Sequence, residues 1–307
     1  MAGIISYGAY IPRFRLGKET VGWGMPIEKA VANYDEDSIT MAVAAGMDCV
    51  AGLDRDAIGG LLFATTTSPY IEKQGAATVA AAVDLGKNII TNDATNSLRA
   101  GTLAMMSAID AVKAGSAKQV MVTAADCRIG TPGTDAAQAN GDGAAAILIG
   151  DEGAIANVLG TYTVSEELID LWRAEGDTKI RTWEDRFVYE TGYLKIMPQA
   201  VSGLLKKLNL TPKDIAKAAF YGPTARRHTE MAKILGLDPK TQVVNPLFDQ
   251  VGNTGAAYAL MLLASALEDA KPGDKILVAS YGDGADAIML EVTNAITKLP
   301  PRRGVKN

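Results

Sequence analysis

Apolar residues recur along the chain in short runs that are separated by longer helical stretches. The short runs, rich in apolar or β-branched residues, predict strands at 60–65, 88–91, 119–123, 144–149, 218–221, 275–279 and 287–292. The longer stretches, several of which begin at polar residues or end near glycine, predict helices at 35–52, 75–86, 100–115, 198–208, 229–236 and 254–270. This alternation predicts an α/β protein in which helices are layered on sheets.

Two segments of the chain repeat the same order of elements. One reads RAGTLAMMSAIDAVKAG, SAKQVMVTAAD and, after a loop, GDGAAAILIG; the other reads NTGAAYALMLLASALEDAKPG, DKILVASY and GDGADAIMLE. Each is a helix rich in small residues, a glycine, a buried strand and a Gly-Asp-Gly turn into another strand. A Gly-Asp-Gly turn alone is common, but the shared order of three elements favours internal duplication. We therefore predict halves at 1–155 and 156–295, followed by an exposed tail or linker at 296–307.

Composition excludes several classes of function. The net charge of −5 offers no basic surface for nucleic acid. Two cysteines, Cys49 and Cys127, are too few for a disulfide framework, and the acidic residues lack metal-ligand spacing. No apolar run approaches the ~20 residues of a membrane span, and no glycine-rich phosphate loop is present. The sequence predicts a cytoplasmic protein without a bound metal, a membrane or a nucleic-acid partner.

Five segments, in chain order, carry a resemblance to a known family: GIISYGAYIPRFRL, TNSLRAGT, FYGPTARRHTEMAKILGL, FDQVGNTGAA and SYGDGADA. They resemble 3-hydroxy-3-methylglutaryl-CoA synthases of the thiolase superfamily and, more distantly, ketoacyl synthase III-like enzymes. The resemblance implies a five-layered αβαβα sandwich built from two similar halves. It also implies a CoA thioester as substrate, no permanently bound cofactor, and a homo- or heterodimer with a thiolase-fold subunit. Archaeal-type members often work with a small zinc-ribbon/OB-fold partner.

Four positions correspond to the family's catalytic residues, and three of them are changed. The family's nucleophilic cysteine begins a central helix, and SLRAGT places Leu98 there. The family's histidine falls on Tyr221 in YGP, and its glutamate falls on Thr66 ahead of a Pro-Tyr pair. Only the asparagine, which hydrogen-bonds the thioester carbonyl in the family, is kept, as Asn253 in GNT. The resemblance therefore implies a degenerate active site that lacks the catalytic cysteine.

We interpret Leu98 as an apolar wall of the acyl pocket. The alternatives are a misplaced alignment with the nucleophile elsewhere, or the decay of an inactive subunit. Ser97 is adjacent, but a helix turns about 100° per residue, so its side chain should point elsewhere. Cys127 ends a predicted strand and is the other candidate nucleophile, although cysteines at such positions are usually small buried fillers.

Tyr221 is our candidate for the remaining acid/base role, the alternative being a tyrosine that is packed in place. A phenol acts as a base only with help from nearby positive charge, which Arg99, Arg226 or Arg227 would supply. The same three arginines are candidates for binding the phosphates of coenzyme A. His228, the only histidine, is expected to be exposed to solvent; the alternatives are a catalytic role or, together with Arg226 and Arg227, binding of the phosphates of coenzyme A.

Three functions remain open at this stage. The first is carbon–carbon bond chemistry on a CoA thioester, of aldol, retro-aldol or Claisen type, without a cysteine acyl-enzyme and within a heteromeric complex. The second is a non-catalytic partner subunit that scaffolds a cysteine-bearing homologue. The third is a conventional acyltransferase or thiolase whose nucleophile lies elsewhere. We favour the first.

Overall fold

The structure is a computed structural model that describes residues 2–17 and 27–306. The strands are β1 (Gly3–Tyr10), β2 (Phe14–Gly17), β3 (Glu28–Val31), β4 (Ile58–Thr65), β5 (Ile90–Thr95), β6 (Gln119–Asp126), β7 (Gly143–Gly150), β8 (Ala156–Ser165), β9 (Leu171–Trp172), β10 (Arg181–Thr182), β11 (Lys217–Phe220), β12 (Lys275–Tyr281) and β13 (Gly284–Val292). The α-helices are α1 (Ser38–Cys49), α2 (Gly75–Ala82), α3 (Ala100–Lys113), α4 (Asp135–Ala139), α5 (Asp185–Phe187), α6 (Leu194–Leu208), α7 (Ala225–Ile234) and α8 (Tyr258–Glu268). A π-helical segment spans Val188–Tyr193, and 3-10 turns span Pro212–Asp214, Gly255–Ala257 and Asn294–Lys298.

The large sheet consists of two sets of strands with the same internal order. The first set runs β5-β4-β6-β7-β1 and the second runs β11-β12-β13-β8. Val243 adds a parallel bridge to Ala218 on the outer side of β11, where the first set has β5. Only two residue pairs, between β1 and β8, join the two sets. In each set, β6–β7 and β12–β13 form the antiparallel pair that the repeated sequence blocks predict.

Helices cover both outer faces and fill the space between the two sets of strands. Helices α1 and α2 pack on the first set, α6 packs on β8 and β13, and α3 and α8 lie between the sets. Residues 258–267 of α8 are all buried, as expected for a helix surrounded by other layers. These layers confirm the predicted thiolase-like α/β fold.

The two central helices approach closely at Gly101. A Cβ added to this glycine would lie 2.3 Å from the carbonyl oxygen of Ala256, so only glycine permits the contact. The first turn of α3 is thereby held against the 3-10 turn that leads into α8. This contact fixes the start of α3, where the family's nucleophile is expected.

The end of the chain differs from the predicted exposed tail. Arg302 is buried, with Nε donating to Ser6 Oγ at 3.0 Å and Nη1 donating to the Ala51 carbonyl at 2.6 Å. The amides of Arg303 and Gly304 donate to the Asp48 carboxylate. This segment is therefore docked on the first half rather than exposed. Among the described residues, the helices are all too short or too polar to span a membrane.

Candidate active site

Two adjoining cavities lie where the halves meet. The first, the phenol cavity, has a volume of about 380 Å³ and includes among its lining residues Arg128, Asn140, Asp170, Tyr189, Tyr193, Tyr221 and Tyr281. The second, the leucine cavity, has a volume of about 610 Å³ and includes Thr66, Ser97, Leu98, Trp172, Trp183, Gly282 and Asp283. Four residues line both cavities and so form their boundary: Arg128, Asp170, Leu171 and Ile180.

Leu98 lies just before α3, and its side chain, only 8% exposed, forms part of the wall of the leucine cavity. Its main chain packs tightly on the Gly282 turn, because a Cβ at Gly282 would lie 2.9 Å from Leu98 N. Ser97 donates its hydroxyl to the Gly282 carbonyl at 3.0 Å. The position at the start of α3 therefore presents a hydrocarbon side chain, and the neighbouring hydroxyl is bound to the backbone.

Thr66 lines the leucine cavity but serves as a ligand of a buried carboxylate. Its amide and its hydroxyl donate to the two oxygens of Asp126 at 2.6 Å and 2.9 Å. Thr65, Thr67 and the amide of Ala256 donate to the same carboxylate. Because Asp126 ends β6 and Ala256 precedes α8, this carboxylate ties the two halves together. Because five donors occupy the two oxygens of Asp126, we assign this carboxylate a structural role. The sequence alone did not indicate it.

Tyr221 follows β11 and extends it by one hydrogen bond, from its amide to the Ala279 carbonyl at 2.9 Å. Its side chain is 2% exposed and lines the phenol cavity. Burial raises the pKa of the phenol, while the positive charge of Arg128 and the adjacent Asn253 amide lower it. A tyrosine in this environment is a proton donor at neutral pH, with a neighbouring cation that stabilises the phenolate.

Three other tyrosines surround the Tyr221 ring at centroid distances of 6.0–6.4 Å: Tyr193, Tyr258 and Tyr281. Tyr193 donates its hydroxyl to the Tyr221 carbonyl at 2.8 Å, and Tyr258 donates to Pro246 at 2.6 Å. These edge-to-face and tilted contacts fix the ring orientation. The ring of Tyr221 is therefore held in place, while its hydroxyl lies beside the side chains of Asn253 and Arg128.

Asn253 has backbone partners for both ends of its side-chain amide. Its Nδ2 donates to the Gly222 carbonyl at 2.8 Å, and its Oδ1 accepts the Gly255 amide at 2.8 Å. It is 1% exposed and belongs to the lining of neither cavity. Asn253 thus binds the residue that follows Tyr221 and lies beside the phenol, and its role towards the thioester stays a prediction.

Arg128, which sequence reasoning missed, is the cation beside Tyr221. It is 6% exposed and lines both cavities. Among residues 2–17 and 27–306, no carboxylate oxygen lies within 4.0 Å of its guanidinium nitrogens. Buried arginines are normally paired, so its charge is available to a ligand or to the phenol.

The three arginines proposed from the sequence are placed differently. Arg99 is buried, donating to the Asp286 carboxylate at 2.9 Å and to the Asp283 carbonyl at 2.8 Å. Arg226 is exposed on α7. Arg227 donates to Glu230 at 2.7 Å and lies 4.4 Å from the ring centre of Tyr189. None of them lines either cavity, and the prediction that Arg99 binds coenzyme A is wrong because its charge is already paired.

The remaining candidates for chemistry are not activated. Cys127 is half-buried, burial raises the pKa of its thiol, and it lines neither cavity. His228 is 2% exposed and stacked on Phe220 at 4.1 Å, contrary to the expected exposed position. Burial lowers the pKa of His228 to about 4, so the ring is neutral at physiological pH. Within the described chain, no three His, Cys, Asp and Glu side chains form a metal-binding group.

Known proteins resemble the chain over most of its length. Residues 205–291 match the family model of the 3-oxoacyl-[acyl-carrier-protein] synthase III C terminal. A hydroxymethylglutaryl-CoA synthase from Methanopyrus kandleri is 34% identical, with 97% of this chain and 89% of that protein covered. β-Ketoacyl-[acyl carrier protein] synthase III from Thermus thermophilus superposes with a TM-score of 0.83 at 22% identity, covering 95% of this chain and 99% of that one. A hydroxymethylglutaryl-CoA synthase complexed with CoA superposes with a TM-score of 0.84 at 20% identity, covering 97% and 84%.

Proposed function

The chain belongs to the hydroxymethylglutaryl-CoA synthase family, and from this premise we propose that it makes or breaks carbon–carbon bonds on CoA thioesters without an acyl-enzyme. The observation that carries the proposal is the buried Tyr221 phenol facing a cavity beside Arg128. Leu98 at the start of α3 supports the absence of an acyl-enzyme, because its side chain has no nucleophilic atom.

An aldol or retro-aldol reaction fits these groups best. In the cleavage direction, a base takes the proton of the 3-hydroxyl group while the C2–C3 bond breaks. The electron pair of that bond moves to the thioester, which becomes an enolate and is then protonated at C2. In the synthetic direction, a base first removes a proton from C2 of the thioester to give the enolate. Its C2 then attacks the electrophile, and Tyr221 donates its proton to the carbonyl oxygen of the electrophile as the new bond forms. Neither direction needs an acyl group on the protein.

Two features of the site serve these steps. Arg128 stabilises the phenolate of Tyr221 after proton transfer, because a nearby positive charge favours the ionised form. The enolate oxygen belongs near Leu98, at the N-terminal end of α3, where the helix dipole favours negative charge. A Claisen-type condensation through the protein would need an acyl acceptor, and Ser97 and Cys127 are poorly suited to that role.

A second candidate function is that of a non-catalytic partner of a cysteine-bearing homologue. The changes at Leu98 and Thr66 favour it, since leucine has no reactive group and the Thr66 hydroxyl is bound to the Asp126 carboxylate. Strand β5 provides a surface for either a homodimer or a heterodimer. It is the last strand of the sheet and pairs in the described chain with β4 alone, so its other edge offers backbone groups to a second thiolase-fold subunit. A zinc-ribbon/OB-fold partner stays a proposal from the family resemblance.

The test is incubation of the purified chain with 3-hydroxy-3-methylglutaryl-CoA and with 3-hydroxybutyryl-CoA, followed by chromatography of the CoA products. The proposal expects a shorter acyl-CoA from at least one thioester, and its loss in Tyr221→Phe. A chain that is inert alone but raises the activity of a cysteine-bearing homologue supports the partner function. A chain that does neither, while binding no acyl-CoA, refutes both.

A further inference from the structure

The side-chain NH₂ group of Asn140 is a buried donor without a hydrogen-bond partner in the described part of the chain. Asn140 is 5% exposed and lines the phenol cavity. Its Nδ2 has no hydrogen-bond partner within the described chain. Leaving a buried amide unbonded costs free energy, so such groups in a cavity wall point to a ligand that completes them.

Arg128 presents to the same cavity a guanidinium that lies within hydrogen-bonding reach of the Tyr221 phenol and has no ion-pair partner among the described residues. Its side chain reaches the cavity past Gly255, where an added Cβ would lie 2.7 Å from the Arg128 Cδ. Gly255 also has a φ of +61°, a left-handed backbone conformation that favours glycine. The fold thus makes room for a buried arginine that no carboxylate of residues 2–17 or 27–306 contacts.

We propose that Arg128 and Asn140 together bind a carboxylate at the distal end of the acyl group. An arginine and an amide N–H are suited to the two oxygens of one carboxylate. The preferred substrates are then CoA thioesters whose acyl chain carries a second, ionised carboxyl group. This inference rests on the proposed function, because it assigns the acyl chain to the phenol cavity and the thioester to the leucine cavity.

Three acidic residues, Asp135, Asp170 and Asp185, line the phenol cavity together with Arg128 and Asn140. Asp135 and Asp185 are exposed, so water screens them. Asp170 is buried, and its Oδ1 accepts the amide of Leu171 at 2.7 Å. Burial raises the pKa of Asp170, while hydrogen bonds from Tyr281 and from the Leu171 amide lower it. Arg128 is then the one buried cation facing the described part of this cavity.

The test compares acyl-CoA thioesters that differ only in a terminal carboxylate. Glutaryl-CoA is paired with valeryl-CoA, and adipyl-CoA with hexanoyl-CoA, and each affinity is measured by isothermal titration calorimetry. We expect one carboxylated member to bind about 10- to 100-fold more tightly than its neutral match, as for a charge-assisted hydrogen-bonded pair. Arg128→Met should remove this preference, and Asn140→Ala should reduce it by about 5-fold. Arg55→Met, at a partly exposed arginine that lines neither cavity, serves as the control.

The outcomes separate this inference from the proposed function. Equal binding of carboxylated and neutral thioesters overturns the carboxylate site but leaves thioester binding intact. No binding of any acyl-CoA defeats the proposed function itself. Coenzyme A alone is titrated as well: if Arg128→Met weakens CoA as much as glutaryl-CoA, the arginine contacts a CoA phosphate and the inference fails. Asn140→Ala keeps the test valid if Arg128→Met does not fold.

Discussion

Arg99 and Arg128 are both buried arginines near the same cavities, yet their surroundings differ. Arg99 forms an ion pair with Asp286 at 2.9 Å and also donates to Thr163 and to the carbonyl of Asp283. Asp286 in turn accepts the hydroxyls of Thr163 and Thr102. This network joins the start of α3 to β8 and β13, so Arg99 connects the two halves. Within residues 2–17 and 27–306, Arg128 forms no such ion pair.

The partners of the two buried arginines distinguish a structural charge from a functional one. Burying a charge costs free energy, and only partners recover it. Arg99 recovers much of that cost through an ion pair and four acceptors in all, Thr163, Val164, Asp283 and Asp286, although its Nε has no partner among the described residues. Arg128 has no ion-pair partner among the described residues, and we propose that an anion bound there, or the phenolate of Tyr221, compensates its charge.

We expect the largest effect from a variant that disrupts the hydrogen-bond network around Arg99 and Asp286. Arg99→Met leaves Asp286 as an uncompensated buried carboxylate and should lower the free energy of unfolding by about 3–5 kcal/mol. Arg128→Met removes a charge that has no ion-pair partner, so the stability should stay within about 1 kcal/mol or increase. Urea denaturation of both variants and of the wild type measures this. Equal losses in the two variants would end the distinction between the arginines.

The next effect compares two buried tyrosines. Tyr221→Phe removes the proposed acid and should lower turnover by about 100-fold or more while the affinity for acyl-CoA stays the same. Tyr258→Phe removes only the hydrogen bond to Pro246 and should cost about 1 kcal/mol of stability with little change in turnover. Steady-state kinetics beside thermal unfolding separates the two. Full activity in Tyr221→Phe would remove the phenol from the mechanism.

A smaller effect concerns His228, a buried group whose ring nitrogen Nε2 lies 3.2 Å from the Phe220 carbonyl. Burial lowers the pKa of His228 to about 4, below the ordinary value of 6.5. The unfolded state therefore binds more protons between these values. The contribution of His228 is complete above pH 6.5 and declines as the pH falls towards 4, by about 3 kcal/mol in all.

The variant His228→Gln isolates this contribution. It should be less stable than the wild type at pH 7, and the difference between the two should shrink as the pH falls from 6.5 to 4. Denaturation at a series of pH values measures it. A difference that stays constant with pH would show that the ring is not held neutral in the folded protein.

Much of the fold follows from local pattern. The small-residue helix at 254–270 and the buried strands at 119–123 and 275–279 appear as α8, β6 and β12, because continuous apolar runs specify buried elements. Strand β8 was not predicted, since its residues alternate irregularly between apolar and polar. Helix α7 begins at Ala225 rather than near 229, because Thr224 accepts the amide of Arg227 and caps it.

The candidate site was less predictable because the role of each residue depends on contacts with residues that are distant in the sequence. Arg99 looked available to coenzyme A, but its partner Asp286 lies 187 residues away. Arg128 carries no signal in the sequence, since the absence of a nearby carboxylate is a property of the fold. Tyr221 was placed by the family motif, and its cavity supports that assignment. Leu98, Thr66 and Asn253 were assigned to catalytic positions of the family by motif alignment, and these assignments stay predictions.

The most direct test of chemistry without an acyl-enzyme is intact-protein mass spectrometry after incubation with acetyl-CoA and with a thioester that the chain turns over. The account predicts an unmodified wild-type mass during turnover, and an acyl adduct in Leu98→Cys, which places a thiol at the start of α3 where its pKa is lowered. An acyl adduct on the wild-type protein, at Ser97 or Cys127, would contradict it.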